Sequence, residues 1–202
     1  MQVLDEVAAG IFVWQTYDAR VKADLFSTAL DTSAGTYLVD PIPFDEKALR
    51  SFGAQRKMAG ICVTNVNHAR AAAEVARSFS VPVYVHHELC GNADFPDAAG
   101  MSEGEGSVRG LTGIAIEGGP KGEMALHHAA NKGTMVLGDA LINFEPHGFG
   151  FLPAKYCLNA RMMRRSLRKL LDYSFDRMFF AHGTPILSGA RARVEQLLAS
   201  TR

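Results

Sequence analysis

The chain has little cysteine, no net charge and no long apolar run, and each absence removes a class of protein. Three cysteines, Cys62, Cys90 and Cys157, are spread over 202 residues without a C-x-x-C spacing. Neither a disulfide framework nor a thiolate zinc site is expected from them. Cys62 lies within the apolar run GICVT, where a buried small hydrophobe is the expected role. Lys plus Arg and Asp plus Glu number 21 each, and neither tail carries a long run of one sign. No nucleic-acid partner is expected from that balance. The apolar stretch from Ala8 to Trp14 is too short to cross a bilayer, and the charges before it, Asp5 and Glu6, are acidic where a secretory signal would be basic. The chain therefore reads as cytoplasmic, with no membrane partner, and it shows no internal repeat at a fixed period.

What is present is the pattern of an α/β protein. Apolar residues make up 48% and charged residues 21%, and the length suits one domain over residues 1–202 with a full core. DLFSTAL (24–30) and TYLVDPI (36–42) read as strands around the turn TSAG, and a short helix is expected from Asp45 to Leu49. Met58 to Thr64 has the short apolar pattern of a strand covered on both faces. A helix is expected from about His68 to Phe79, because Ala72, Val75, Ala76 and Phe79 recur at helical spacing. VPVYVHH (81–87) follows as a strand, and this strand–helix–strand order argues against an all-β or all-helical fold. Residues 90–110, rich in glycine and poor in apolar side chains, read as a mobile surface loop. Further strands are expected in LTGIAIE, EMALHHA, TMVLGDALI and RMFFAH, with helices from about Leu158 to Tyr173 and Ala190 to Ala199.

The most informative segment is Thr64-Asn65-Val66-Asn67-His68-Ala69-Arg70, at the junction of a buried strand and a helix. In position and flanks it resembles the T-H-x-H-x-D-H signature of the metallo-β-lactamase superfamily. YLVDP with Asp40, VLGDALI with Asp139 and FFAHGTPI with His182 follow the family's order, and the resemblance covers roughly residues 20–190. It implies a four-layer αβ/βα sandwich of two mixed β-sheets flanked by helices, with the site at the strand ends.

Position by position, the resemblance implies a degenerate metal site. Asn65 and Asn67 stand where the family has its first two histidines, Ala69 where it has aspartate, and Arg70 where it has the third histidine. The next family histidine falls at Gly119, while Asp139 and His182 match the bridging aspartate and the last histidine. A catalytic zinc needs about three imidazole, carboxylate or thiolate ligands and an open position for water. Asparagine oxygen is a poor substitute, and Arg70 brings a permanent cation to the place of the second ion. Two unit charges about 4 Å apart repel by roughly 4 kcal/mol at an effective dielectric of about 20, so a two-metal centre is not expected. Arg70 is instead expected to pair with Asp139 and hold the pocket without an ion.

The expected pocket is Asn65, Asn67, His68, Arg70, Asp139 and His182, with Asp40 supporting it from a strand end. The simpler alternative is that Asn65 or Asn67 caps the following helix and Arg70 pairs with Glu74 on the surface. The pairs His86–His87 and His127–His128 are expected to be structural, since neighbours in a strand face opposite ways. The stripe Arg161, Arg164, Arg165, Arg168 and Lys169 reads as a solvated helix face, with an anionic partner as the alternative. The glycine-rich stretches GGPKG and NFEPHGFGFLP are expected at the pocket rim, with Phe144, Phe149 and Phe151 either lining it or packing in the core. Three functional readings follow. The first is a non-catalytic or weakly active protein binding a small, anionic molecule, with no cofactor. The second is a hydrolase with a single divalent metal (Zn, Fe or Mn) on Asp139, His182 and His68. The third is a scaffold with a vestigial pocket; a homo-oligomer is compatible with any of them.

Overall fold

The computed structural model describes residues 4–20, 22–144 and 148–200. The chain opens with an antiparallel ribbon, β1 (Asp5–Ala8), β2 (Ile11–Asp18), β3 (Ala23–Thr32) and β4 (Gly35–Val39). Helix α1 (Glu46–Ala54) follows, its first turn capped by the Asp45 carboxylate, which accepts from the Ala48 N–H. It is longer than the Asp45–Leu49 segment expected, because Leu49 and Phe52 both bury against the sheet. Strand β5 (Met58–Cys62), helix α2 (Ala72–Phe79) and strand β6 (Val83–His86) complete the strand–helix–strand unit.

The stretch expected to be a mobile loop contains two strands, β7 (Ala99–Met101) and β8 (Gly104–Val108). Met101 and Val108 explain the difference: both are buried between the sheets, so two well-placed apolar residues anchor a glycine-rich segment. The second half runs β9 (Leu111–Ala115), β10 (Met124–His128), β11 (Thr134–Leu137), β12 (Leu141–Phe144) and β13 (Gly148–Phe151). Helix α3 (Ala160–Ser166) continues as a 3-10 stretch through Asp172, and β14 (Arg177–Phe180) and α4 (Ala190–Ala199) close the fold.

Strands β1 to β7 form one sheet in sequence order, antiparallel as far as β4 and parallel from there. The second sheet has the order β14-β11-β10-β9-β8, with β11 and β14 parallel. Alternation along the strands sorts side chains into three cores. Leu38 and Ile61 face α1 and α2, whereas Tyr37, Val39 and Cys62 face the other sheet. Val136 and Phe179 return that contact, while Met135, Leu137, Met178 and Phe180 face α3 and α4. Three cores separate four layers, which is the sandwich the sequence led us to expect.

The topology gathers one set of strand ends. Asp40 follows β4, Thr64 to His68 follow β5, Asp139 follows β11 and His182 follows β14. Because β10 runs antiparallel to β11, its start lies at the same end, which brings in Glu123. An isolated bridge between Leu25 and His182 and a bond from the Phe26 N–H to the Ala181 carbonyl link the two sheets there.

Candidate functional site

The segment after β5 does not run straight into a helix. Val66–His68 form a single 3-10 turn capped by Asn65, whose side-chain oxygen accepts from the Asn67 N–H. Arg70 then takes a left-handed backbone (φ 34°), and α2 begins at Ala72 rather than His68. Asp40 is also left-handed (φ 49°). Such conformations persist where the surroundings over-determine them. At Asp40 those surroundings are the Thr64 N–H at 2.8 Å, the Thr64 hydroxyl at 2.5 Å and His68 Nδ1 at 2.9 Å, all on its carboxylate.

His68 is the centre of the arrangement. Its Nδ1 faces Asp40, its Nε2 lies 3.3 Å from Asp139 Oδ1, and its side chain is 2% exposed. No partner meets the Nε2 in hydrogen-bonding geometry, and the largest effect of Asp139 on it is that of its charge. Burial opposes a charge on His68, but the two carboxylates outweigh it and raise its pKa to about 9. Burial likewise opposes ionisation of Asp139 and Asp40, and the neighbouring cations reverse it, holding both below the usual carboxylate range.

Glu123 joins this cluster, and its role was not expected from the sequence. Its Oε2 accepts from Asn65 Nδ2 at 2.7 Å, and the same amide nitrogen lies 3.1 Å from Asp139 Oδ2. Its Oε1 accepts from the Ala140 N–H at 2.9 Å. Burial and the charge on Asp139 push Glu123 up to about 8, so it keeps a proton at neutral pH. Asn65 thus offers N–H donors where a metal ligand would offer a lone pair. The backbone presses in beside them: a Cβ on Gly138 would lie 2.5 Å from Thr64 Oγ1 and 2.9 Å from both Asn65 Nδ2 and Glu123 Oε1.

Arg70 does not form the expected pair with Asp139. Its Nη1 donates to the carbonyls of Phe26 (3.0 Å) and Asp40 (3.3 Å), and its Nη2 lies 3.3 Å from His182 Nε2. Arg70, at a left-handed turn, places its guanidinium on the Phe26 and Asp40 carbonyls, and His68 occupies the side of Asp139 instead. The alternative pairing with Glu74 is not formed either. His182 Nε2 is 3.4 Å from Asp139 Oδ1. Burial lowers His182 to about 4, with His68 and Arg70 reinforcing the shift against Asp139, so it is neutral at pH 7. Asn67 is exposed, and its backbone N–H donates to the Asn65 side chain.

Around the cluster, Gly119 packs on Glu123, and Phe144 lies 6.2 Å from the His182 ring. Phe149 and Phe151 pack against the outer core of the second sheet; residues 145–147 lie outside the described residues. The His86 and His87 rings do not diverge as strand neighbours would. They sit 4.1 Å apart because His87 begins a 3-10 turn.

These landmarks can be set beside known proteins. The profile of the metallo-beta-lactamase superfamily matches residues 3–201. The chain belongs to that superfamily. No curated protein matches it. Among solved structures, the DIM-1 metallo-beta-lactamase superposes with a TM-score of 0.74 at 14% identity, covering 100% of this chain and 98% of that one. A metallo-beta-lactamase from Pontibacter korlensis gives 0.75 at 11% identity over 100% of both chains. A metallo-beta-lactamase family protein from Thermus thermophilus gives 0.68 at 17%, covering 96% of this chain and 80% of that one. At such identities the likeness is one of fold.

The superfamily usually binds zinc, so the donors must be tested against an ion. His68, Asp139 and His182 offer ligand atoms within 4.8 Å of one another, and the unpartnered His68 Nε2 is among the available nitrogens. That set fits one ion by donor type and number. Beside it, Asn65 presents its amide N–H groups, Asn67 is exposed, the Ala69 side chain has no donor atom, and Arg70 stands next to His182.

Proposed function

We propose that this superfamily member binds a small anionic molecule in a pocket neutralised by its own side chains, and does not carry out two-zinc hydrolysis. The observation that carries this reading is His68 between Asp40 and Asp139, at 2.9 and 3.3 Å. Two buried carboxylates are matched by an imidazolium and by the Arg70 guanidinium, while Glu123 keeps its proton and His182 is neutral. An added dication would have to displace the His68 proton and approach Arg70, and it would find His182 Nε2 already facing the guanidinium. Arg70, its Nη1 held by two carbonyls, would turn its Nη2 from the neutral His182 to a carboxylate or phosphate.

The second reading, a single-metal hydrolase, is favoured by the 4.8 Å grouping of His68, Asp139 and His182. There the three side chains would hold the ion, which would supply an acidified water, and Asp40 would orient His68 through Nδ1. Elemental analysis of protein produced in zinc-, iron- and manganese-supplemented medium separates the two. We expect well under one equivalent of metal and no change of melting temperature with chelator. One equivalent of ion, lost in Asp139→Asn and His182→Ala, would overturn the proposal and establish the second reading.

A further inference from the structure

We propose that the outer face of α3 carries a second binding site, for a soluble polyanion bearing at least two phosphoryl groups. Arg161, Arg164, Arg165 and Arg168 recur at spacings of three and four and therefore share one helix face. With Ala160 they line an open cavity of about 490 Å³. A second cavity of about 220 Å³, lined by Asn159, Arg161, Met162 and Arg165, adjoins it through Arg161 and Arg165. Small-molecule pockets commonly measure roughly 300–1,000 Å³.

The four charges are not balanced within the fold. Like charges at these spacings repel, and among the described residues none of the four arginines pairs with a carboxylate. The neighbouring Lys169, by contrast, is fully engaged with Glu103 and Glu117. Two of the four are fixed by the fold: Arg164 lies over the Phe151 ring at 4.9 Å, and Arg168 donates to the Leu198 carbonyl at 3.3 Å. Among the described residues none positions the Arg161 and Arg165 side chains, and both cavities share them. Two walls held in place and two arms free to close describe a site awaiting its counter-charge.

Guanidinium forks match phosphate oxygens two at a time, so four of them suit more than one phosphoryl group. Arg161 to Arg168 spans about 10 Å of helix, the scale of a di- or triphosphate. A polymer or a membrane would need a longer basic surface, and this chain balances 21 basic against 21 acidic residues.

The test is calorimetric titration with inorganic tripolyphosphate at physiological salt. We expect saturable one-to-one binding, weakened about tenfold or more in the R161A/R165A double variant. Both side chains are exposed, and the variant should melt as the parent does. The double variant touches none of the cluster around His68, and the metal analysis above does not depend on it, so failure here is distinguishable from failure of the proposed function. Absence of saturable binding, equal binding by the double variant, or equal displacement by sulfate would overturn the proposal. So would binding to phosphatidylserine vesicles or to a mixed-sequence oligonucleotide without binding to tripolyphosphate.

Discussion

His68 and Asp40 form a buried ion pair, 2.9 Å from Nδ1 to Oδ2, with neither side chain more than 3% exposed. Breaking one partner of such a pair strands the other charge at a cost of roughly 3–5 kcal/mol. Asp40 also holds Thr64 by two hydrogen bonds, so Asp40→Ala should cost at least as much as His68→Ala. Urea unfolding of both variants checks the order; a His68→Ala protein as stable as the parent would refute the central role given to the imidazole.

Stability should fall as pH rises through the neutral range. His68 is held protonated to about pH 9 against an ordinary value of 6.5. Its stabilisation is therefore complete below pH 6.5 and lost as pH climbs through 9, an effect of roughly 3 kcal/mol at about 1.4 kcal/mol per pH unit. Glu123, raised from 4.5 to about 8, acts in the same direction: its contribution is present below pH 4.5 and lost as pH rises through 8. Asp40 and Asp139 are lowered, so their contribution is present above pH 3.8 and lost in stronger acid. Denaturation followed across pH should place the optimum on the mildly acidic side. His68→Gln should flatten the upper part of the decline and leave the part due to Glu123.

Arg70→Ala should destabilise the fold by roughly 1–3 kcal/mol, through the Phe26 and Asp40 carbonyls that lose a donor and the charge support that Asp40 and Asp139 lose. Arg70→Lys should recover part of this at most, because one ammonium cannot reproduce the fork that reaches two carbonyls and His182. Chemical denaturation distinguishes the three proteins. The alanine variant should also bind zinc more tightly than the parent, since His182 Nε2 is then free, and a competition titration would measure this.

Gly138→Ala is expected to be among the more damaging small substitutions. The added methyl would enter the space between Thr64 Oγ1, Asn65 Nδ2 and Glu123 Oε1, and overpacking costs about 1–3 kcal/mol before any polar bond is lost. A melting temperature equal to the parent's would show that the cluster yields more easily than its geometry implies.

The strands and helices were legible because alternation and helical spacing are local signals, whereas the four layers were implied by the resemblance. TYLV and RMFF announce their faces, and Ala190 to Ala199 was found to the residue. Strands β7 and β8 were not, because two apolar anchors in a glycine-rich stretch leave no period to read. At the site, the resemblance drew attention to Asn65, His68, Arg70, Asp139 and His182, and the fold brings these five together. The partner of Arg70 was misread: the resemblance set it at a metal-ligand position and so beside Asp139, but its left-handed backbone goes with a guanidinium held by the Phe26 and Asp40 carbonyls. Glu123 gave no warning, because an acidic residue before an apolar run ordinarily faces water. Its burial follows only from the antiparallel course of β10 beside β11.

The crossing between the sheets has a consequence for how copies of this chain meet. Strand β7 ends one sheet and β8 ends the other, with Ser102 and Glu103 between them; these two edges are joined by the chain itself. At the far side of the first sheet β1 is the edge strand, with exposed Asp5 and Glu6 and a break in register between Glu6 and Ala8. Two carboxylates and a bulge on an edge discourage another strand from adding to it. Growth by edge-to-edge pairing, the usual route from sheet to fibre, is opposed at this end by two charges and one break in register.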